Sequence, residues 1–538
     1  MDFQNYLTPS DKKADVFASK NTIQDIEDLV VENGASQSVY DDEIYGSLRK
    51  GGAVKFFSKD CVGLVAATFA SASSVECLKC LIQPMLNEHF SLNATRLAAS
   101  QRLTSVPLAF CFFFGLLSDC YPILGFRRKG YLIIGLGTTM ISFFVLSALD
   151  GFVESRDGAT GGTGLAVAII MLATLASTGN MMTHMCVLTR VLELSQRERL
   201  NMRGAIVATY SMFREVVFII TDALVYALER SSTHHNIVLL VYGLVIGVSI
   251  PLVWKSWQEE YYSLSTPMRT RGQILWKVMQ QKAVWSILTF ICIFTFFGSF
   301  ALSGPSVIVN YWSGASGDNQ FVQQVLYYGA ILLTIVVWRY YFMNRPWRTF
   351  FAMSTVLLIV PQLIVAICVT QNILRDRYFY RFMSLFSSIS TGIGWLASII
   401  PLTEIIQEGS EGAMVGLIVS MYFLVFIFVD SNATGLFKGS NFYNAAEVIS
   451  DMPEGRSDVL KALLFSYGIN AFQLVGLFFL PRQKLDTQQL RSYGGYTKCA
   501  SAAIVTFAML LFVYSVAITA LALNPSTSHM TVADGCTH

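Results

Sequence analysis

Apolar runs near the about twenty residues that a helix needs to cross a hydrocarbon core of about 30 Å recur along almost the whole chain, separated by short polar segments. They predict membrane helices over residues 61–85, 98–118, 131–149, 165–188, 205–228 and 237–254. A longer polar stretch follows, and then runs over 284–302, 321–338, 350–369, 382–400, 413–429 and 460–480, with a thirteenth over 500–523. The pattern divides the chain into a polar, acidic tail (1–55), a six-helix half (56–255) and a connecting loop (256–283). A second six-helix half (284–482) and an extra helix with a short tail (483–538) complete it. Two six-helix halves joined by a long loop are the hydropathy signature of a carrier built from related repeats, with its solute site near the midplane between them. The predicted fold is therefore an all-α membrane protein, a bundle of two six-helix halves with an added thirteenth helix. In the connecting loop, Arg269, Arg271, Lys277 and Lys282 alternate with Ile274, Leu275 and Trp276, which suits a helix lying in the membrane interface.

Composition strengthens this reading and narrows the function classes. Of the 538 residues, 53% are hydrophobic and 14% charged, and the net charge of +2 gives no footprint for nucleic acid. The first 60 residues contain no apolar run that would serve as a cleavable signal, so the first helix is expected to direct insertion. The ten cysteines fall mostly in apolar runs. Cys77 and Cys80 form a C-x-x-C inside one of them, without a second pair, so helix packing is the expectation there and neither metal nor cofactor is predicted. No H-E-x-x-H, G-x-S-x-G or Walker sequence occurs, so an enzyme is not expected.

Basic residues concentrate in alternate loops when the N-terminus is placed in the cytoplasm, which sets the orientation and puts the C-terminus outside. Both sequons, at Asn93 and Asn432, then face the exterior as glycan acceptors must. Two loops resist the rule. One is external and carries Arg375, Arg377 and Arg381; the other is internal and carries Glu404, Glu408 and Glu411.

The most distinctive segment is GLLSDCYPILGFRRKGYLIIG, residues 115 to 135. Pro122 and Gly125 suit a tight turn that leaves Asp119, at the end of one helix, within reach of Arg127 and Arg128 at the start of the next. Acid, turn and bases together predict a gate, whereas the bases alone would serve only as a positive-inside anchor. Ser118, Asp119, Pro122, Ile123, Gly125, Arg127, Arg128 and Tyr131 resemble the signature of the folate-biopterin transporter family, within the major facilitator superfamily. Pro401, Gly409, Glu411, Gly412 and Ser420 in PLTEIIQEGSEGAMVGLIVS are similar to a second segment of that family. The resemblance implies alternating access, a folate, biopterin or related pteridine solute, and a co-transported proton.

Ionisable residues at bilayer depth cost roughly 2.5–3.5 kcal/mol each on insertion scales and need a partner or a purpose. Glu76 and Lys79 share a helix face at i, i+3 and either neutralise each other or touch solute. Arg214 is suited to hold an anionic group bidentately, and Glu215 or Asp222 to carry the proton; fixed interhelical ion pairs explain these residues equally well. His184 either titrates during transport or is simply packed. The expectation is thus a plasma-membrane carrier of a small organic solute, a symporter. The alternatives are a carrier of another metabolite, such as S-adenosylmethionine, or a receptor or channel.

Overall fold

The computed structural model describes residues 46–90, 94–154, 163–230, 234–261, 267–316, 320–435 and 451–523. Among these the chain is almost wholly helical. The first half comprises α1 (Val62–Phe90), α2 (Ala94–Ala109), α3 (Cys111–Cys120), α4 (Lys129–Glu154), α5 (Thr163–Ser195), α6 (Ala205–Arg230) and α7 (His235–Ser256). The predicted connecting helix is α8 (Met268–Met279). The second half holds α9 (Lys282–Gly298), α10 (Ser303–Trp312), α11 (Gln320–Val337), α12 (Trp347–Thr370), α13 (Arg377–Ile399), α14 (Leu402–Ile405), α15 (Glu411–Gly435), α16 (Pro453–Ala471) and α17 (Gln473–Gly476). After α18 (Lys484–Tyr493) comes the predicted extra helix, α19 (Lys498–Leu523).

Several helices outrun their apolar stretches; the run over 165–188 becomes Thr163–Ser195, because a helix goes on satisfying its own backbone after leaving the hydrocarbon. Two predicted spans are each built from two pieces. Pro107 lies near the end of α2 and removes one backbone donor, and the axis breaks at Phe110 before α3 resumes. The run over 284–302 stops at Gly298; its 17 residues reach about 26 Å, and α10 continues the path after Leu302. Among the described residues, eleven helical stretches are long and apolar enough to cross a membrane. The predicted fifth span, α6, is not one of them although it is 26 residues long, because Arg214, Glu215 and Asp222 interrupt its apolar character.

Within the first half, α4 packs against α5 and α7, and α1 against α6 and α7; within the second, α12 packs against α13 and α16, and α11 against α13. The halves meet along two seams, α3 with α15 and α6 with α11. Helix α19 lies over one seam, touching both α2 and α15, with Phe512 edge-on to Phe110 at 4.9 Å and Tyr514 4.9 Å from Phe428. One end of the bundle carries residues 119–128, 193–204 and 404–411 and is called the charged end below.

Candidate functional site

At the charged end the two halves approach backbone to backbone. A methyl group at Gly115 of α3 would lie 2.0 Å from the carbonyl oxygen of Gly412 in α15, so only glycine permits the contact. That approach brings Asp119, at the end of α3, to the N-terminus of α15, where its carboxylate accepts the N–H of Ala413 at 2.8 Å and of Gly412 at 3.3 Å. A carboxylate there is favoured by unpaired N–H groups and by the helix dipole.

Local sequence delivers the partner. Leu124 (φ 54°) and Gly125 (φ 80°) turn the chain sharply after Pro122, and a side chain at Gly125 would also strike the Tyr261 ring. Glu259 then accepts the N–H groups of Arg127, Arg128 and Lys129 at 2.8–2.9 Å, capping α4. Arg128 is thereby aimed back at Asp119, 2.6 Å away, and also donates to Ser118. Of the two predicted basic partners, it is Arg128 that meets Asp119; Arg127 gives its amide to Glu259.

The pair is the centre of a larger network. Arg128 also lies 3.6 Å from Glu193 and 3.7 Å from Glu411. Burial opposes its charge, yet Asp119, Glu193 and Glu411 together hold the guanidinium above its ordinary pKa. Arg49, just before α1, bonds Glu411 at 2.8 Å and Gln196 at 2.6 Å, and Gln196 donates to the carbonyls of Thr403 and Ile406. Arg203 meets Glu404 at 2.8 Å with both side chains fully buried. Sequence reasoning missed Arg49, Gln196, Arg203 and Glu259. The signal for the network was the acidic loop itself: Glu404 and Glu411 broke the charge rule because their counter-ions sit on the other half.

Near the middle of the bundle the predicted residues separate into three groups. Glu76 accepts the Tyr328 hydroxyl at 2.5 Å across the α6–α11 seam, and Lys79 donates to Tyr328 at 2.7 Å and to Glu76 at 3.5 Å. Asp222 lies on the other side of Cys80, whose thiol is 3.4 Å from Asp222 and 3.8 Å from Glu76. Arg214 sits between two rings, 5.0 Å from Phe218 and 4.8 Å from Trp395 of the opposite half, a cation–π arrangement. Glu215 beside it is buried, and neither its Oε2 nor Oδ2 of Asp222 has a hydrogen-bond partner among the described residues. His184 forms the third group, with Nδ1 3.3 Å from the hydroxyl of Tyr210, which also hydrogen-bonds Arg214. Tyr328, which carries no charge, was not legible as a site residue.

At the end opposite, Arg102 of α2 reaches Asp430 of α15 at 3.3 Å. Arg375, one of the bases that broke the expected charge rule, makes a bidentate pair with Asp451 at 2.6 and 2.9 Å, and Arg456 joins the same carboxylate. Together the two arginines hold Asp451 at about 2, below the usual carboxylate range. Asn432 is exposed in the last turns of α15, its amide donating to the Phe428 carbonyl at 2.6 Å, whereas Asn93 lies outside the described residues.

A family model described as BT1 family matches residues 74–442. Comparison with curated proteins gives no match. Among solved structures, a major facilitator superfamily proton:xylose symporter superposes with a TM-score of 0.55 at 12% identity, covering 81% of this chain and 99% of that one. A bacterial homologue of the iron transporter ferroportin in an outward-facing state superposes with a TM-score of 0.53 at 14% identity, covering 78% and 99%. These likenesses confirm the fold, a major-facilitator-type bundle.

Proposed function

The chain belongs to the BT1 family and is a multi-pass membrane transporter of a small solute; we propose that it is a proton-coupled symporter for a folate, biopterin or related pteridine. The observation that supports this most is Arg214, a guanidinium between Phe218 of one half and Trp395 of the other. A flat anionic heterocycle can stack on Trp395 while its acidic group meets the arginine, and only a residue touching both halves senses their relative movement. Glu215 and Asp222, with unpaired buried oxygens, are the proton carriers. Glu76 with Lys79 reports occupancy to the second half through Tyr328, and His184 lines the same region from α5.

In this reading the charged end faces the cytoplasm of a plasma-membrane protein, the N-terminus is inside, the C-terminus is outside and Asn93 and Asn432 face the exterior. Asp119 with Arg128 is the closed inner gate, and Arg127 stands in the same loop. The pair lies within the first half and holds the second through the Gly412 and Ala413 N–H groups and Glu411, a two-state contact: formed in one arrangement, broken in the other.

The test is uptake of labelled folate, biopterin and S-adenosylmethionine, at acid and neutral pH, by cells lacking their own folate and pterin uptake. Pterin uptake that rises at acid pH, and that falls about tenfold or more in Arg214→Leu at unchanged surface level, supports the reading; that fall matches the loss of one charge-assisted hydrogen bond of about 1.5 kcal/mol. Uptake of S-adenosylmethionine alone would replace the solute and keep the carrier.

A further inference from the structure

The Glu76–Cys80–Asp222 group, in a helix bundle read as the transport path, has the geometry of a metal site. Glu76 and Cys80 stand at i, i+4 on one face of α1, and Asp222 of α6 faces them, so one ligand atom from each lies within 4.8 Å of the other two. A tetrahedral divalent ion at about 2.3 Å from a thiolate and about 2.1 Å from a carboxylate oxygen requires sulfur–oxygen separations of about 3.6 Å. The two observed separations, 3.4 Å to Asp222 and 3.8 Å to Glu76, bracket that value. Both sulfur–oxygen edges of such a site are therefore already in place.

Charge and hydrogen bonding point the same way. Among the described residues the central carboxylates are Glu76, Glu215 and Asp222 and the cations beside them Lys79 and Arg214, so with all three acids ionised the bases are one fewer. Asp222 is 6% exposed and its second oxygen has no partner among the described residues. Glu76 is oriented by the Tyr328 hydroxyl, as hydrogen-bond donors behind a metal-binding carboxylate fix its direction. Lys79, the competing cation, is the most exposed member of the group at 45%, and its contact with Glu76, 3.5 Å, is longer than its bond to Tyr328, 2.7 Å. The neighbouring Cys77 was the sequence's other half of a C-x-x-C, but it is absent from this trio.

We propose that Glu76, Cys80 and Asp222 bind one divalent transition-metal ion of the zinc or ferrous class, with the thiol losing its proton to solvent as the metal–sulfur bond forms. The sulfur selects against magnesium and calcium, which take oxygen ligands. The site deepens the transporter reading by naming a second cation for the same group of residues, and rests on that reading only for its access route.

The experiment is titration of the purified full-length protein in lipid nanodiscs with Co2+, read by the thiolate-to-cobalt charge-transfer absorption, alongside pterin uptake by the same variants in cells. The expected result is one ion per chain with a charge-transfer band. The band should vanish and Co2+ binding weaken tenfold or more in Cys80→Ser, while Cys77→Ala keeps both. Absence of the band in the native protein, or a band that survives Cys80→Ser, overturns the site even where pterin uptake is intact. A Cys80-dependent band in a protein that moves no pterin supports the site and removes the pteridine reading instead.

Discussion

The charged end and the centre of the bundle both bury acids and bases, but they settle their charges differently. At the charged end Asp119, Glu404, Glu411 and Glu193 each have a guanidinium within 3.0 Å or less, contributed by Arg128, Arg203, Arg49 and Arg190. At the centre Glu215 and Asp222 have no basic group within 4.0 Å among the described residues, and Arg214 faces rings instead of a carboxylate. Desolvating an ion costs several kcal/mol, which a matched counter-ion offsets. A charge left unmatched at depth persists where something else completes it. The first region therefore reads as a lock and the second as a place for a ligand, a distinction that ionisable residues in a hydropathy pattern do not reveal.

The sharpest way to break this comparison is to remove one arginine from each region. Arg128→Leu strands Asp119, while Glu411 keeps Arg49, and the expected cost is about 3–5 kcal/mol, read as a large drop in thermal midpoint in detergent. Arg214→Leu should cost less than about 1 kcal/mol by the same measurement while abolishing uptake. Equal destabilisation by both would mean that the centre is held by fixed ion pairs as well.

A smaller effect tests whether the lock is a moving part. A side chain at Gly412 would meet Arg128 Nη1 at 2.5 Å and the Gly115 carbonyl at 2.8 Å, so Gly412→Val should part α3 from α15. Cys186, buried next to Arg128 and Ser118, should then react with a membrane-impermeant maleimide added to the charged end on the order of tenfold faster, a bias of about 1.4 kcal/mol. Unchanged labelling would make the seam a static contact.

The smallest expected effect is one of pH. Glu198, in the loop between α5 and α6, accepts the N–H groups of Gly204 and Ile206 at 2.9 and 3.0 Å. Burial nevertheless pushes it up to about 7, against those hydrogen bonds. A raised carboxyl pKa means that the folded protein holds its proton more tightly than the unfolded chain. The stability so contributed is full below the ordinary value of 4.5 and is lost as pH rises through about 7. Thermal midpoints should fall across that window, and Glu198→Gln should flatten the fall. A profile unchanged by the substitution would assign the pH dependence to another group.

Within the centre, the sequence named Glu76, Lys79, His184, Arg214, Glu215 and Asp222 because an ionisable residue inside an apolar run is visible one residue at a time. It did not show that Cys80 joins Glu76 to Asp222, or that Arg214 lies under Trp395, since those contacts span 142 residues in one case and join opposite halves in the other. Uncharged Tyr328 gave no signal at all. At the charged end, Asp119 and Arg128 were legible because nine residues and a recognisable turn separate them. Arg49 was not, because its partner Glu411 is 362 residues away.

The sequence by itself determined the helices, their grouping into two halves with an extra segment, and the family, because apolar length and turn chemistry are local properties of the chain. Only the tertiary structure decided which charges are spent on holding the halves together and which are left for a ligand. That decision depends on distances between helices far apart in sequence, where a counter-ion at 2.8 Å cancels a buried charge and one a few ångströms farther leaves it unsatisfied.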